Sequence, residues 1–135
     1  MSLRPVCVLL LVFATGLLAG CGSGLATVSG EVSVDGKTVE KGVISYVPAD
    51  GPGDPATANI ENGRYEIRTS PGNKRVQISV PVVVDRRKDS NAPGAQTIEI
   101  TRETLPERFN SKTELTFEVK SGSNTKDWQL DTKKK

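Results

Sequence analysis

The stretch VSGEVSVDGKTVEKGVISYVPAD, residues 28–50, decides the fold. Val28, Val32 and Val34 fall on one side of an extended chain, and Ser29, Glu31 and Ser33 on the other. Successive side chains of a strand point to opposite faces, so a period of two marks a strand with one buried side. Asp35-Gly36 then interrupts the run. Such pairs accept positive φ and close tight hairpins whose twist matches that of the flanking strands.

The same period recurs downstream. Tyr65 and Ile67 alternate with Arg64, Glu66 and Arg68; Val76, Ile78 and Val80 with Arg75, Gln77 and Ser79; Ile98 and Ile100 with Thr97, Glu99 and Thr101. Leu115, Phe117 and Val119 alternate with Glu114, Thr116 and Glu118, and Trp128 with Leu130 closes the series. Half-buried strands of antiparallel sheets produce this alternation. No segment carries a helical stripe. Asn62-Gly63, Pro71-Gly72 and Ser121-Gly122-Ser123-Asn124 supply turns between the runs. Two longer loops are predicted, 48–55 with its prolines and glycines, and the polar, basic stretch 85–94. Leu105-Pro106-Glu107-Arg108-Phe109-Asn110 breaks the alternation, so it is predicted to fold over one end of the sheets with Leu105 and Phe109 as plugs. Tyr46, Tyr65, Phe109, Phe117 and Trp128 are read as core.

VSGEVSVDGKTVEKGVISYVPAD, followed by ATANIENGRYEI and SPGNKRVQISV, resembles the carboxypeptidase regulatory-like family, which has a transthyretin (prealbumin) type of β-sandwich. The matching positions are Asp35-Gly36-Lys37, Gly42 and Asn62-Gly63-Arg64-Tyr65. The tail LPERFNSKTELTFEVKSGSNTKDWQL is similar to the C-terminal half of many small bacterial lipoproteins with this domain. The resemblance implies a single antiparallel sandwich of about seven strands over residues 27–131 and brings no active site with it. The family pattern has an aromatic where this chain has Lys74. Fold alone licenses no function.

Residues 1–20 have the parts of an export signal: basic Arg4, an apolar run from Val6 to Ala19, and small residues before Cys21. The run is short for a membrane span and is interrupted by Thr15 and Gly16. Leu18-Ala19-Gly20-Cys21 resembles the bacterial lipobox. That resemblance implies that residues 1–20 are removed and that Cys21 receives a diacylglycerol on sulfur and an acyl chain on its amine. Two or more chains hold a protein firmly on a bilayer, where one holds it marginally. Residues 21–26 then form a flexible tether, and 132–135 a basic, solvated tail. Gly22, in place of the aspartate that resembles an inner-membrane retention signal, favours the outer membrane, with the domain facing the periplasm or the surface.

Composition narrows the chemistry. Of 135 residues none is histidine, the usual general base near neutral pH, so histidine-dependent triads and ordinary zinc sites are excluded. Cys7 lies in the signal, so the mature chain keeps only Cys21 and forms no internal disulfide. A formal net charge of +2 with interspersed acids and bases shows no basic excess of the kind nucleic-acid binders carry.

Three apparent motifs fail on context. Gly30 to Thr38 approximates a phosphate-binding loop but has five residues between its glycines and lies on a strand and hairpin. Ser123-Asn124-Thr125-Lys126 fits S-x-x-K without its partner motifs. Asp50 and Asp54 lack the alternating spacing of a calcium loop. No catalytic residue, metal ligand or cofactor is therefore assigned. The candidate contact surface is Arg86, Arg87 and Lys88, with Trp128. The expectation is a non-catalytic, lipid-anchored envelope protein acting as an interaction or structural module, with an envelope protein or glycan as partner and no nucleic acid. The rivals are a glycan- or peptide-binding module, for which Trp128 and Tyr65 would have to lie exposed side by side, and a small hydrolase using Lys or Asp.

Overall fold

The structure, a computed structural model, describes residues 24–134, so the signal-like segment and Cys21 lie outside the described residues. The chain forms β1 (Ala26–Val34), β2 (Lys37–Thr38), β3 (Lys41–Pro48), β4 (Ala56–Glu61), β5 (Arg64–Thr69) and β6 (Gly72–Ser79). After these come β7 (Pro81–Lys88), β8 (Thr97–Glu103), a 3₁₀ turn at Glu107–Phe109, β9 (Thr116–Val119), β10 (Ser123–Thr125) and β11 (Trp128–Leu130). The all-β expectation holds. Among the described residues no helix is long and apolar enough to cross a membrane.

The predicted hairpins form where positive φ is required. Asp35 and Gly36 sit at φ 51° and 80°, and Asn62 and Gly63 at 50° and 78°. Both pairs occupy the left-handed region that two-residue hairpin turns demand.

The main sheet runs β10-β1-β5-β4-β3-β6-β9, a path of seven strands, with β2 and β11 also paired to β1. β1 pairs with β5 from Ala26↔Thr69 to Glu31↔Arg64, and β3 pairs with β4 from Lys41↔Glu61 to Tyr46↔Ala56. Between β4 and β5, however, the ladder has the single pair Glu61↔Arg64 beside the turn. The path therefore divides into two well-paired halves, β10-β1-β5 and β4-β3-β6-β9, hinged at that turn. Cross-strand pairs Val28↔Ile67 from one half and Ile44↔Ile78 and Tyr46↔Val76 from the other belong to one buried cluster. Each such valine or isoleucine contributes about 1.5–3 kcal/mol by leaving water.

The pairs within this path are antiparallel except at its C-terminal end. β1 runs parallel to β10 over Thr27↔Ser123 to Ser29↔Thr125, then parallel to β11 over Val32↔Trp128 to Val34↔Leu130. The change of partner happens at Gly30. There the Lys126 N–H donates to the Ser29 carbonyl at 2.8 Å, and the Glu31 N–H donates to Asp127 Oδ1 at 2.9 Å. A Cβ on Gly30 would lie 1.9 Å from the Lys126 carbonyl oxygen, so only glycine permits the crossing.

Leu105 and Phe109 are buried at the edge of the core as plugs, and the 3₁₀ turn between them is where the alternation was predicted to fail. Lys74, at the position where the resemblance led to an aromatic being expected, points inward from β6 and is 2% exposed. Its ammonium donates to Ser70 Oγ at 2.8 Å. Thus a lysine stem fills the space where a ring was expected.

Candidate functional site

β7 and β8 pair only with each other, as a two-stranded ribbon separate from the main sheet. The ladder runs from Pro81↔Glu103 to Lys88↔Thr97, with a bulge between Val83 and Asp85. Eight residues of strand make an arm about 26 Å long. Its base is cinched: Thr104 Oγ1 donates to the Val80 carbonyl at 2.7 Å, and Glu103 Oε1 accepts from the Val80, Thr104 and Leu105 N–H groups.

The arm has two chemically distinct faces. On one, Thr97, Glu99, Thr101 and Glu103 lie opposite Lys88, Arg86, Val83 and Pro81, with Arg86 Nε 2.8 Å from Glu99 Oε1. On the other, Ile98, Ile100 and Arg102 lie opposite Arg87, Asp85 and Val82. Every residue of β7 is exposed, as is every residue of β8 save half-buried Ile100. Val82, Val83, Val84 and Ile98 are 41–47% exposed, and they are four of the five large exposed apolar residues in the described chain. Acids and bases balance along 81–103, four of each. An isolated two-stranded hairpin is marginally stable in water, so a ribbon that holds Val82, Val83, Val84 and Ile98 exposed is the candidate contact surface.

Arg86, Arg87 and Lys88 therefore stand on a strand, which corrects the loop predicted for 85–94. The connection is shorter, from Asp89 to Gln96, whose ends are joined by Asp89 N–H donating to the Gln96 carbonyl at 2.9 Å. Ile98 and Ile100 alternate as predicted without reaching the core. The alternation in β8 reports a ribbon face on which Ile98, Ile100 and Val82 stand beside Arg87, Asp85 and Arg102, left open by the core.

Trp128 is not part of a contact surface: it is 6% exposed and packs inside. Its Nε1–H donates to Tyr46 Oη at 3.4 Å, and the Lys126 ammonium covers the ring at 4.8 Å from its centroid. Tyr65, 4% exposed, donates its hydroxyl to the Lys126 carbonyl at 2.6 Å and lies 2.9 Å from Tyr46 Oη. A phenol has one proton, so Tyr46 must donate to Tyr65. The result is a directed chain, Trp128 N–H to Tyr46 O–H to Tyr65 O–H to the Lys126 carbonyl, crossing the core between the two halves of the sheet. Desolvation raises the pKa of both phenols above the ordinary tyrosine range. An exposed Trp128–Tyr65 stacking platform does not exist in this fold.

The remaining motifs do not converge. Ser123 is exposed on β10, whereas Lys126 lies over Trp128. Gly30 is packed on Lys126, as described, and Asp50 Oδ2 accepts from Asn73 Nδ2 at 3.0 Å. Among the described residues no group of three or more His, Cys, Asp or Glu is placed to hold a metal ion. One polar groove gathers Glu31, Arg64, Glu66 and Asp127 beside Tyr65. There Arg64 Nε lies 3.4 Å from Glu31 Oε1, and Asp127 is spent on the Glu31 N–H.

No known family's sequence pattern matches the chain, and no curated protein matches it. Among solved structures it is similar to a candidate adhesin from Bacteroides ovatus, at 15% identity and a TM-score of 0.48, covering 87% of this chain and 50% of that one. It is also similar to a 9R-lipoxygenase from Cyanothece, at 14% identity and a TM-score of 0.42, over 80% of this chain and 16% of that one. A third is the dioxygenase domain of a dioxygenase carbohydrate-binding protein fusion from Streptomyces, at 16% identity and a TM-score of 0.40, over 84% of each chain. The chain thus spans half the length of the adhesin chain it matches. What fold and site together define is an all-β module with antiparallel pairing, a closed aromatic core and a projecting two-stranded arm.

Proposed function

We propose that this chain is an exported bacterial lipoprotein, anchored through acylated Cys21, whose transthyretin-type β-sandwich is non-catalytic and presents the β7–β8 arm to a macromolecular partner of the cell envelope. The two halves of the main sheet, sharing one core and hinged at Asn62-Gly63, fit a sandwich. The observation that carries the functional reading is the arm: three valines and an isoleucine held in water on a ribbon the core does not support. The lipobox-like Leu18-Ala19-Gly20-Cys21 supports the anchor. Outer-membrane placement follows from Gly22 and is part of the same reading. With Trp128 and Tyr65 inside, an aromatic glycan platform has lost its residues, and the reading does not use it.

Two measurements in the bacterial host test the two halves of this reading. A palmitate analogue is incorporated into the chain and not into the Cys21→Ser variant, which leaves the membrane fraction. A photo-crosslinking residue at Arg87, on the arm, forms macromolecular adducts, whereas one at Glu118 on β9 does not. Unmodified Cys21, or equal adducts from both positions, refutes the corresponding half.

A further inference from the structure

We infer that the arm's occupant is a second copy of this chain, joined edge to edge along β8 in a two-fold symmetric, four-stranded sheet. The inference deepens the proposed function, resting on the arm as contact surface and not on the lipid anchor.

A free ribbon has two open edges, and they differ. β7 begins at Pro81, is interrupted by the bulge at Val83/Asp85 and ends in Arg86-Arg87-Lys88. Proline, bulges and clustered basic side chains are the devices by which edges are kept from pairing. β8, Thr97-Ile98-Glu99-Ile100-Thr101-Arg102-Glu103, has neither proline nor bulge. Its β-branched residues suit a ladder. The open edge is β8.

This edge can pair with its own copy, and charge then selects the register. Two copies of one strand pair antiparallel about an axis perpendicular to the ribbon, which keeps each face on its own side. Residues therefore meet others of the same face, so the axis passes through a residue and not between two. With the axis at Ile100 all seven residues pair: Ile100 meets Ile100, Glu99 meets Thr101, Ile98 meets Arg102 and Thr97 meets Glu103. No like charges oppose one another. Moving the axis to Glu99 sets Glu99 against Glu99, and moving it to Thr101 sets Glu99 against Glu103. Like charges directly opposite destabilise a sheet. Moving it to Arg102 opposes two arginines, and at Ile98 only three residues of β8 overlap. Only the register centred on Ile100 combines full length with no like charges directly opposite; Glu99 stands diagonal to Glu99 and Glu103 of the second copy, and Arg86 already neutralises it at 2.8 Å.

The pairing also answers the arm's instability. Two strands become four, and three or more are needed for independent stability. Ile98 and Ile100 of one copy acquire the isoleucines of the other as direct and diagonal neighbours on their shared face. The Arg102 stem lies along Ile98 of the second copy. A seven-residue edge is small beside stable interfaces of about 1,200–2,000 Å², so the association is weak in dilute solution and grows with local concentration.

Oxidative cross-linking of the full chain tests this. Ile100→Cys places two cysteines on the axis, with Cα atoms about 5 Å apart, within disulfide range. Thr101→Cys places its pair about 8 Å apart, outside that range. Above the background of the unsubstituted chain with its native cysteines, Ile100→Cys is expected to form covalent dimer at least tenfold faster than Thr101→Cys. A second measurement is independent of cysteine. Ile100→Asp and Ile100→Lys each sediment as monomer at concentrations where the unsubstituted chain dimerises, and their equimolar mixture dimerises again. Cross-linking no faster at Ile100 than at Thr101, adducts only with another polypeptide, or a mixture that stays monomeric would overturn the inference. Because none of these readouts depends on acylation, their failure is separable from failure of the anchor.

Discussion

Replacing Tyr65 by Phe is expected to cost more than replacing Tyr46, although Tyr46 is the more deeply buried ring. The reason is the direction of the hydrogen-bond chain. In Tyr65→Phe the Lys126 carbonyl loses the donor at 2.6 Å, and the Tyr46 hydroxyl, buried at 2.9 Å from its partner, loses its acceptor. One missing hydrogen bond is worth about 1 kcal/mol and an orphaned buried hydroxyl about 1–3, giving about 2–4 kcal/mol in all. For a domain of this size that lowers the melting temperature by roughly 8–16 °C. In Tyr46→Phe the Tyr65 hydroxyl still donates to Lys126, and the hydrogen bond that Trp128 gives up is the long one at 3.4 Å. About 1–2 kcal/mol is expected there. In the double variant the orphaned hydroxyl is gone, so the total falls short of the sum by about 1–3 kcal/mol, the coupling of the pair. Urea unfolding followed by the fluorescence of Trp128, the single tryptophan, reads all four corners of the cycle. Equal costs with strict additivity, or a larger cost for Tyr46→Phe, would refute the assigned direction.

Gly30→Ala is expected to lose about 3 kcal/mol or more, because the new Cβ collides with backbone at Lys126. Amide exchange at Lys126 and Trp128 should accelerate before that of the β3–β6 ladder. Stability should also fall in alkali. Tyr46 and Tyr65 have raised pKa values through desolvation, so between the unfolded value near 10 and the folded ones the unfolded chain binds fewer protons. The contribution is complete below pH about 10 and is lost above it by about 1.4 kcal/mol per pH unit for each phenol, while Tyr46→Phe halves the slope. Melting temperatures from pH 7 to 11.5 read this directly. Lys74→Met keeps the buried stem and removes an ammonium bonded to Ser70, so stability should be unchanged or rise by about 1 kcal/mol. A loss above about 2 kcal/mol would show that the ammonium is needed there.

The parts of this molecule legible in sequence are those where burial is local and periodic. Val28, Tyr65, Ile67, Val76 and Ile78 announced the inward face of their strands, and Asp35-Gly36 and Asn62-Gly63 announced the turns. The arm was half legible. Val82-Val83-Val84 followed by Asp85 and three bases has no period of two, because neither side of β7 faces a core and its bulge breaks the phase. Such a strand is held mainly by its backbone ladder, which leaves little trace in side chains, and its second half, 85–88, read as part of a loop. Trp128 illustrates the reverse case. Its alternation with Leu130 correctly signalled burial, and its candidacy as a contact residue failed because Tyr46 offers its indole a partner inside. The parallel pairing of β10 and β11 with β1 had no local signature. No turn joins those strands, and the decisive feature, Gly30 beneath the Lys126 carbonyl, is a glycine whose reason lies at the far end of the chain.

That pairing of first strand with last has a consequence for biosynthesis. The Glu31 amide meets its acceptor 96 residues later, on Asp127, and β1 gains β10 and β11 as neighbours only after Ser123–Leu130 have been translated. Hairpins such as β3–β4 can close as they emerge from the ribosome, but the flank of β1 that faces β10 and β11 stays unsatisfied until those strands follow. A chain that stops between Glu103 and Ser123 lacks both parallel partners of β1 and the Trp128 indole that donates to Tyr46, so one flank of its first strand stays bare.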